Sequence, residues 1–293
     1  MIRLLVLALV LAAPAAQGGA PRLALDARVV WSEADPGFGG FSGIEVQDGG
    51  ATFLAIGDRG AWASGRMRRA GGRLEGVDLD AFGPLRAISG ERLDGQAIDA
   101  EGLASDAEGR LYVSFESFHR IRRYDALDGP ALPVPAHPQF ERLQDNAGLE
   151  ALAVDAGGVL YTIPERSGLW ERPFPVYRFA DGAWLETLSL PRSGKWLAAG
   201  ADFGPDGQLY LLEREFSWVG GFATRIRRFA LGRAGFHAGE TLIETAMGGS
   251  TDNFEGISVW RDAAGETRIT LIADDNFFPL QSTAIAEYRL VGD

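Results

Sequence analysis

No cysteine occurs in the 293 residues. That excludes a disulfide framework, a thiolate metal centre and a cysteine-linked lipid anchor, so the fold must be held by its core alone. Lysine occurs once, at Lys195, and the other bases are arginines, permanently charged forks that bind carboxylate or phosphate but cannot act as bases. Schiff-base chemistry would have one candidate. No GxSxG elbow, P-loop, dinucleotide fingerprint or HExxH is present, which removes serine-hydrolase, nucleotide and zincin readings. Three histidines remain as proton carriers. His137 lies in the proline-rich connector PVPAHPQF and His237 in the loop RAGFHAGE, whereas His119 directly follows the strand-like SFESF and is the candidate catalytic histidine. Basic excess is lacking too: 40 acids face 28 bases for a net charge of −12, which disfavours nucleic-acid backbones and anionic lipid surfaces as partners and favours cations.

What is present is a globular composition, 46% hydrophobic and 23% charged, with 39 glycines falling between short runs of Val, Leu, Ile, Phe and Tyr. Many tight turns joining many strands point to an all-β protein. At the N-terminus one cation, Arg3, precedes an apolar run from Leu4 to Ala13 and the small residues Ala13-Pro14-Ala15, the layout of a secretory signal over residues 1–20. A periplasmic or secreted monomer without stable membrane insertion is expected, its mature domain running from 21 to 293.

A hairpin recurs along that domain. EALAVDAGGVLYTIPER (from Glu150), SGIEVQDGGATFLAIGDRG, EGLASDAEGRLYVSFES, ADFGPDGQLYLLERE and EGISVWRDAAGETRITLIADD each read as strand, turn and strand, and each second strand ends on an acid: Asp58, Glu116, Glu165, Glu213 and Asp274. The acids are 58, 49, 48 and 61 residues apart, a blade-sized period. Further runs such as RIRRYD, VYRFADGAWLETLSL and TRIRRFAL bring each repeat to four strands, the unit of a β-propeller. The last repeat is one strand short, and RLALDARVVW at the N-terminus is one over. The expected fold is therefore a propeller of five four-stranded blades whose final blade is completed by the N-terminal strand. A six-bladed ring, with a degenerate blade hidden in the longer steps, is the alternative.

In a propeller the start of each inner strand and the end of the second lie on one face, about 5 Å apart across the ladder. Glu101, Glu150 and Glu255, at inner-strand starts, should thus converge with Asp58, Glu116, Glu165, Glu213 and Asp274, and Asp202 should lie close by. Carboxylates so crowded repel by about 1 kcal/mol per pair in water and several-fold more near a protein surface. Arg59, Arg166 and Arg214, or a bound cation, could compensate. An all-oxygen donor set favours Ca²⁺ over zinc or copper. Acids at strand ends also simply reach water, and Phe118, Trp170, Phe216, Trp218, Phe277 and Phe278 either roof a ligand pocket there or pack between blades.

FSGIE with AIGDRG, DAEGLA with SFE, NAGLEALAV with PER, and NFEGISVW with ADDNF and STAIAEYRL, in this order, resemble the phytase-like family described as "esterase-like activity of phytase", secreted bacterial propellers. The resemblance implies a calcium-dependent hydrolase of phosphate or carboxylate esters, with Glu101, Glu150, Glu255 and His119 as catalytic candidates. Asp58, Glu101, Glu116, Glu150, Glu165, Asp202, Glu213, Glu255 and Asp274 are the metal-ligand candidates. Arg59, Arg166 and Arg214 would bind a small anionic ester in place of the lysines of alkaline phytases. Two further readings are a non-catalytic propeller that binds a ligand or protein on the same face, and a lactonase-like propeller using Asn146, Asn253 or Asn276.

Overall fold

The structure is a computed structural model that describes residues 20–144, 147–233, 235–247 and 252–292. The N-terminal signal expected over 1–20 falls, but for Ala20, outside the described residues. After β1 (Arg22–Val30), strands β2 (Phe41–Gln47), β3 (Thr52–Gly57), β4 (Ala61–Ala70) and β5 (Arg73–Pro84) pair in sequence as the first antiparallel sheet. The second sheet is β6 (Ala100–Ser105), β7 (Leu111–Phe115), β8 (Arg120–Tyr124) and β9 (Leu132–Pro133). The third is β10 (Ala151–Val154), β11 (Leu160–Ile163) and β12 (Phe174–Ala180), its outer position shared by the short β13 (Ala183–Trp184) and β14 (Leu188–Leu190). The fourth is β15 (Leu197–Phe203), β16 (Leu209–Ser217) and β17 (Gly221–Phe229); a small hairpin, β18 (Leu231–Gly232) and β19 (Gly235–Phe236), precedes its outer strand β20 (Glu240–Glu244). The last sheet is β21 (Asn253–Arg261), β22 (Thr267–Asp274) and β23 (Ala284–Val291), with β1 added antiparallel to β23 as its outermost strand.

The five inner strands β2, β6, β10, β15 and β21 touch in turn, and β21 returns to β2. The molecule is a five-bladed propeller closed by its N-terminal strand. Each blade is apolar on both faces, so the core is divided among the seams: five buried clusters among the described residues each combine side chains of two adjacent blades. Trp31, Phe41 and Phe53 join the fifth blade to the first, and Leu85, Phe115 and Tyr124 the first to the second. No described helix is long and apolar enough to cross a membrane.

The hairpins repeat because their turns do. Asp106, Asp155, Asp206 and Asp262 each accept, on Oδ1, the backbone N–H two residues on, an Asx turn that pre-forms the reversal. Tyr161 and Tyr210 donate their hydroxyls to the Oδ2 atoms of Asp155 and Asp206, locking the second strand in register with its turn.

Candidate functional site

The acids meet at the opposite end of the strands from these turns. Here each inner strand carries one residue more than its partner: the registers slip between Phe41 and Gly43, Ala100 and Leu103, Ala198 and Gly200, and Phe254 and Gly256. In the third blade the Glu165 N–H donates to the Gly148 carbonyl while Ala151 pairs with Ile163, leaving the same surplus at Glu150. A bulge re-aims the extra side chain, and the five bulged positions are Ser42, Glu101, Glu150, Ala199 and Glu255. In three blades that side chain is a buried glutamate, 5–7% exposed. Glycines follow the bulge in four blades because neighbouring inner strands approach so closely. A Cβ on Gly102 would lie 2.8 Å from the Glu150 carbonyl oxygen, and one on Gly200 2.6 Å from that of Glu255. The ring is correspondingly tight, and a void of about 10 Å³ lies among these strands, with Glu150 and Glu255 in its lining. The acids therefore stand in a cup with a packed floor.

Above the bulge lies a second tier, one step further along the ladders. Its facing positions are Gly40 and Asp58, Asp99 and Glu116, Gly148 and Glu165, Leu197 and Arg214, and Asn253 and Asp274. Ligand oxygens of Asp99, Glu101 and Glu116 all lie within 4.8 Å of one another. Burial first, then neighbouring acids, pushes Glu101 well above the usual carboxylate range, with Glu150, Glu255, Asp99 and Glu116 all contributing. Glu150 is likewise well above that range through burial, although Arg214 opposes it. Burial raises Glu116 to about 6 and Asp58 to about 6, and raises Asp274 to about 8 with help from Glu255.

A cation enters this tier. Arg214 binds the Glu255 carboxylate and reaches Asn253 Oδ1 at 3.3 Å through Nη1, and Glu165 Oε1 at 3.2 Å through Nη2. Burial alone would lower its pKa, but Glu255, Glu150, Glu165 and Glu101 reverse the effect and hold it charged. Its fork is thus committed to the protein's own acids. Arg166 lies further out, its Nε 2.9 Å from Glu165 Oε2, and Arg59 rests over the Phe277 ring. His119 occupies the turn between β7 and β8, its Nε2 3.1 Å from the Gln144 carbonyl, and like Glu116 it closes on Gly148.

Of the nine acids expected to converge, the structure brings together Asp58, Glu101, Glu116, Glu150, Glu165, Glu255 and Asp274. Two lie elsewhere. Glu213 pairs with Ala198, one residue short of the tier position held by Arg214. A one-residue shift sends a strand side chain to the other face, and Glu213 is fully buried there, bound by both Arg225 (2.8 and 3.0 Å) and Arg227 (2.7 and 2.7 Å). Asp202 is near the far end of β15, accepting the Val259 N–H at 2.6 Å and sitting close to Glu45, whose Oε2 takes the Ser105 hydroxyl. Burial raises Asp202 to about 7.

Among the asparagines, Asn253 is buried in the cup and donates to Glu255 at 2.7 Å, whereas Asn276 is exposed and donates to Gln281; Asn146 lies outside the described residues. Phe277 is half-buried where the fifth blade meets the first, against Gly40 and under Arg59, whereas Phe118, Trp170, Phe216 and Phe278 are about half exposed, Trp218 is 95% exposed, and none of these five fills a seam. They project from the loops around the cup, Trp218 from a hairpin whose pairs Glu215–Ala223, Phe216–Phe222 and Ser217–Gly221 continue beyond Arg214. Sequence reasoning missed Asp99. The signal available was its place two residues before Glu101, since alternate strand residues share a side.

No curated protein matches the chain. Among solved structures, the α-L-arabinofuranosidase from Podospora anserina in complex with cellotriose is similar at TM-score 0.54 and 10% identity, over 93% of this chain and 98% of that one. An aldose sugar dehydrogenase from Streptomyces coelicolor gives 0.48 at 13% identity, over 90% and 98%. A gluconolactonase from Xanthomonas campestris gives 0.43 at 14%, over 81% and 68%. Identities this low speak to fold alone. Residues 36–277 match the Phytase-like family, described as "Esterase-like activity of phytase", and the chain belongs to that family.

Proposed function

We propose that the protein is a secreted, calcium-dependent hydrolase of phosphate or carboxylate esters, a monomer acting on a small anionic substrate at the acidic cup. The observation that carries this reading is the trio Asp99, Glu101 and Glu116. Two oxygens bound to one calcium at about 2.4 Å can be at most about 4.8 Å apart, the span within which all three fall. The donors are all oxygen, as a hard cation requires. Asp58 Oδ1 and Ser42 Oγ, buried without a hydrogen-bond partner, add unsatisfied oxygens to the same face.

Asp99, Glu101 and Glu116 would hold the cation, with Glu150 behind them. When bound, the cation polarises the ester and makes water a stronger nucleophile at neutral pH. Glu150 is buried and disposed to hold a proton on its carboxyl oxygen, so it can pass that proton to the leaving-group oxygen. Glu255, held by Arg214 and Asn253, has a fixed orientation toward the cup. Arg166, exposed beside Glu165, would orient the substrate's charge, and the packed floor would restrict water to the open side.

Calcium at 100 times its Kd adds about 2.7 kcal/mol of stability, on the order of 5–10 °C for a domain of this size. A melting experiment on EDTA-treated protein should show that rise when calcium is restored, and a panel of p-nitrophenyl esters should show turnover that EDTA abolishes. Melting indifferent to calcium, together with no turnover across the panel, would refute the proposal.

A further inference from the structure

Apolar side chains are exposed unevenly over the molecule. Of the thirteen large hydrophobic side chains exposed among the described residues, eight stand at the acidic end, on the hairpins and loops that join the second strand to the third in blades two to five. The β16–β17 hairpin is the most prominent: Trp218 and Val219 form its apex and are 95% and 101% exposed, with Phe216 below them. On the neighbouring fifth blade the β22–β23 loop carries Phe278 and Leu280, and on the third the β11–β12 loop carries Leu169 and Trp170. Exposed apolar groups scattered singly need no explanation, but their collection around one concave site marks a contact surface.

Two of these segments are suited to leaving water. Residues 216–222 (FSWVGGF) and 276–282 (NFFPLQS) contain no charged side chain. Their backbone donors turn inward as well. The Gly220 N–H donates to Ser217 Oγ at 2.9 Å, just beyond the last ladder pair, Ser217–Gly221, and the Phe278 and Gln281 N–H groups donate to the Asp275 and Phe278 carbonyls. An apolar medium favours such pairing, since it offers an unpaired backbone group no partner. Phe216 meets Trp218 edge-on with ring centroids 5.4 Å apart and packs on Phe222 at 4.9 Å, so the tip is ordered before it meets anything.

Shape and charge select the occupant. The exposed apolar groups stand on separate loops of four blades around a recessed centre, where Glu101, Glu150 and Glu255 are 5–7% exposed. A folded partner or a second copy would need a pocket for each loop and would have to cover the acids between them. A fluid lipid layer takes separate tips at once and leaves the centre wet. Net charge −12 repels an anionic layer. On the third-blade loop Arg166 and Arg172 flank Leu169 and Trp170, cations beside apolar groups, a pairing that suits a layer whose phosphates border its apolar interior. Tryptophan is also among the side chains that settle at that boundary.

We propose that the acidic end docks on a zwitterionic lipid surface, the fourth- and fifth-blade tips entering its apolar boundary and the cup facing the headgroups. Docking does not depend on the hydrolase reading; its consequence, that anionic esters carried by lipid reach the cup as well as soluble ones, rests on it. Co-sedimentation of the full chain in EDTA with sucrose-loaded phosphatidylcholine vesicles tests docking without metal or turnover. Binding is expected, at least tenfold weaker in Trp218→Ser/Val219→Ser and in Phe278→Ser/Leu280→Ser, and retained in Trp218→Phe/Val219→Leu. It should be unchanged in Leu185→Ser, at the turn end of the third blade, and weaker on vesicles mixed with phosphatidylglycerol. The substituted side chains are exposed, so an unaltered melting temperature checks folding, and the N-terminal apolar run is common to every variant, so the differences report the tips. No binding by the wild type, binding that survives both double serine substitutions, or tighter binding to the anionic vesicles overturns the proposal. So does a dimer in light scattering that dissociates in Trp218→Ser/Val219→Ser while vesicles go unbound, which would give the face to a second copy. With calcium restored, that variant should release phosphate about tenfold more slowly from dilute phosphatidic acid in the vesicles and hydrolyse p-nitrophenyl phosphate at the wild-type rate. Docking without turnover of any ester would keep the proposal and remove the hydrolase reading.

Discussion

Asp99, Glu101 and Glu116 come from one blade, with Asp99 and Glu116 facing each other on the ladder and Glu101 raised between them by the bulge. Neutralising one of three cation ligands should remove most of the binding free energy while leaving a milder carboxylate repulsion. Asp99→Asn and Glu101→Gln are therefore expected to melt at or above the wild-type temperature in EDTA and to lose most of the rise with calcium. Asp202→Asn, at the far end of β15, should keep that rise intact. Differential scanning fluorimetry with and without calcium checks all three, and an undiminished calcium response in Glu101→Gln would remove this trio from the site. The sequence marked Glu101 and Glu116 because the hairpin repeat carries an acid at their positions in other blades. It left Asp99 unmarked because the equivalent residues are Gly40, Gly148, Leu197 and Asn253, so nothing recurs. Asp202 is expected in the cup because ADFGPDGQLYLLERE, read as a hairpin, makes Ala201 the first residue of its strand. The observed strand begins at Leu197, and LAAG, poor in branched and aromatic side chains, gives little strand signal.

The fourth blade shows what one residue of phase does to an element. LYLLER and LYTIPE align on their tyrosines, each tied to its turn aspartate, and the count from there places Arg214 opposite Leu197 just as Glu165 faces Gly148. Taking the first acid as the marker selected Glu213 instead. Acid spacing alone cannot see the alternation that the tyrosine and turn fix. The consequence is energetic as well as geometric: Glu213 is 0% exposed and neutralises two arginines whose side chains are each 5% exposed. Removing one partner of a buried ion cluster costs about 3–5 kcal/mol because the remaining charge is left without compensation. Glu213→Ala is thus expected to lower the unfolding free energy by that amount in urea titrations while keeping the calcium increment. An unfolding free energy within about 1 kcal/mol of wild type would show that Arg225 and Arg227 find other partners, such as the Ser193 and Pro191 carbonyls they already touch.

At the scale of the ring, blade number and closure were legible, because five hairpins of similar period and one spare N-terminal strand admit a simple count. The long steps that allowed a sixth blade are taken up by the 10- and 12-residue strands β4 and β5, and by the extended β16–β17 hairpin with β18 and β19 behind it. What a count cannot supply is how tightly the ring draws its acids together, since that depends on bulges and glycine contacts between blades. The crowding makes the whole molecule's stability a function of pH. In the folded protein Asp58 and Glu116 are raised to about 6, chiefly by burial, and Asp274 to about 8 by burial and Glu255. The unfolded chain releases the same protons near pH 4. Between about 4 and 8 the folded state holds more protons than the unfolded one, so stability falls as pH rises through that window. Calcium competes with those protons for the same oxygens and binds more strongly as they leave. In EDTA the melting temperature should decline from pH 5 to pH 8, and the increment from calcium should grow over the same interval, so that the two forms differ least at pH 5. A calcium-free melting temperature that rises across the window would mean that the raised carboxyls are balanced by charges other than those in the cup. A falling one whose calcium increment stays constant would instead place the cation away from the titrating acids.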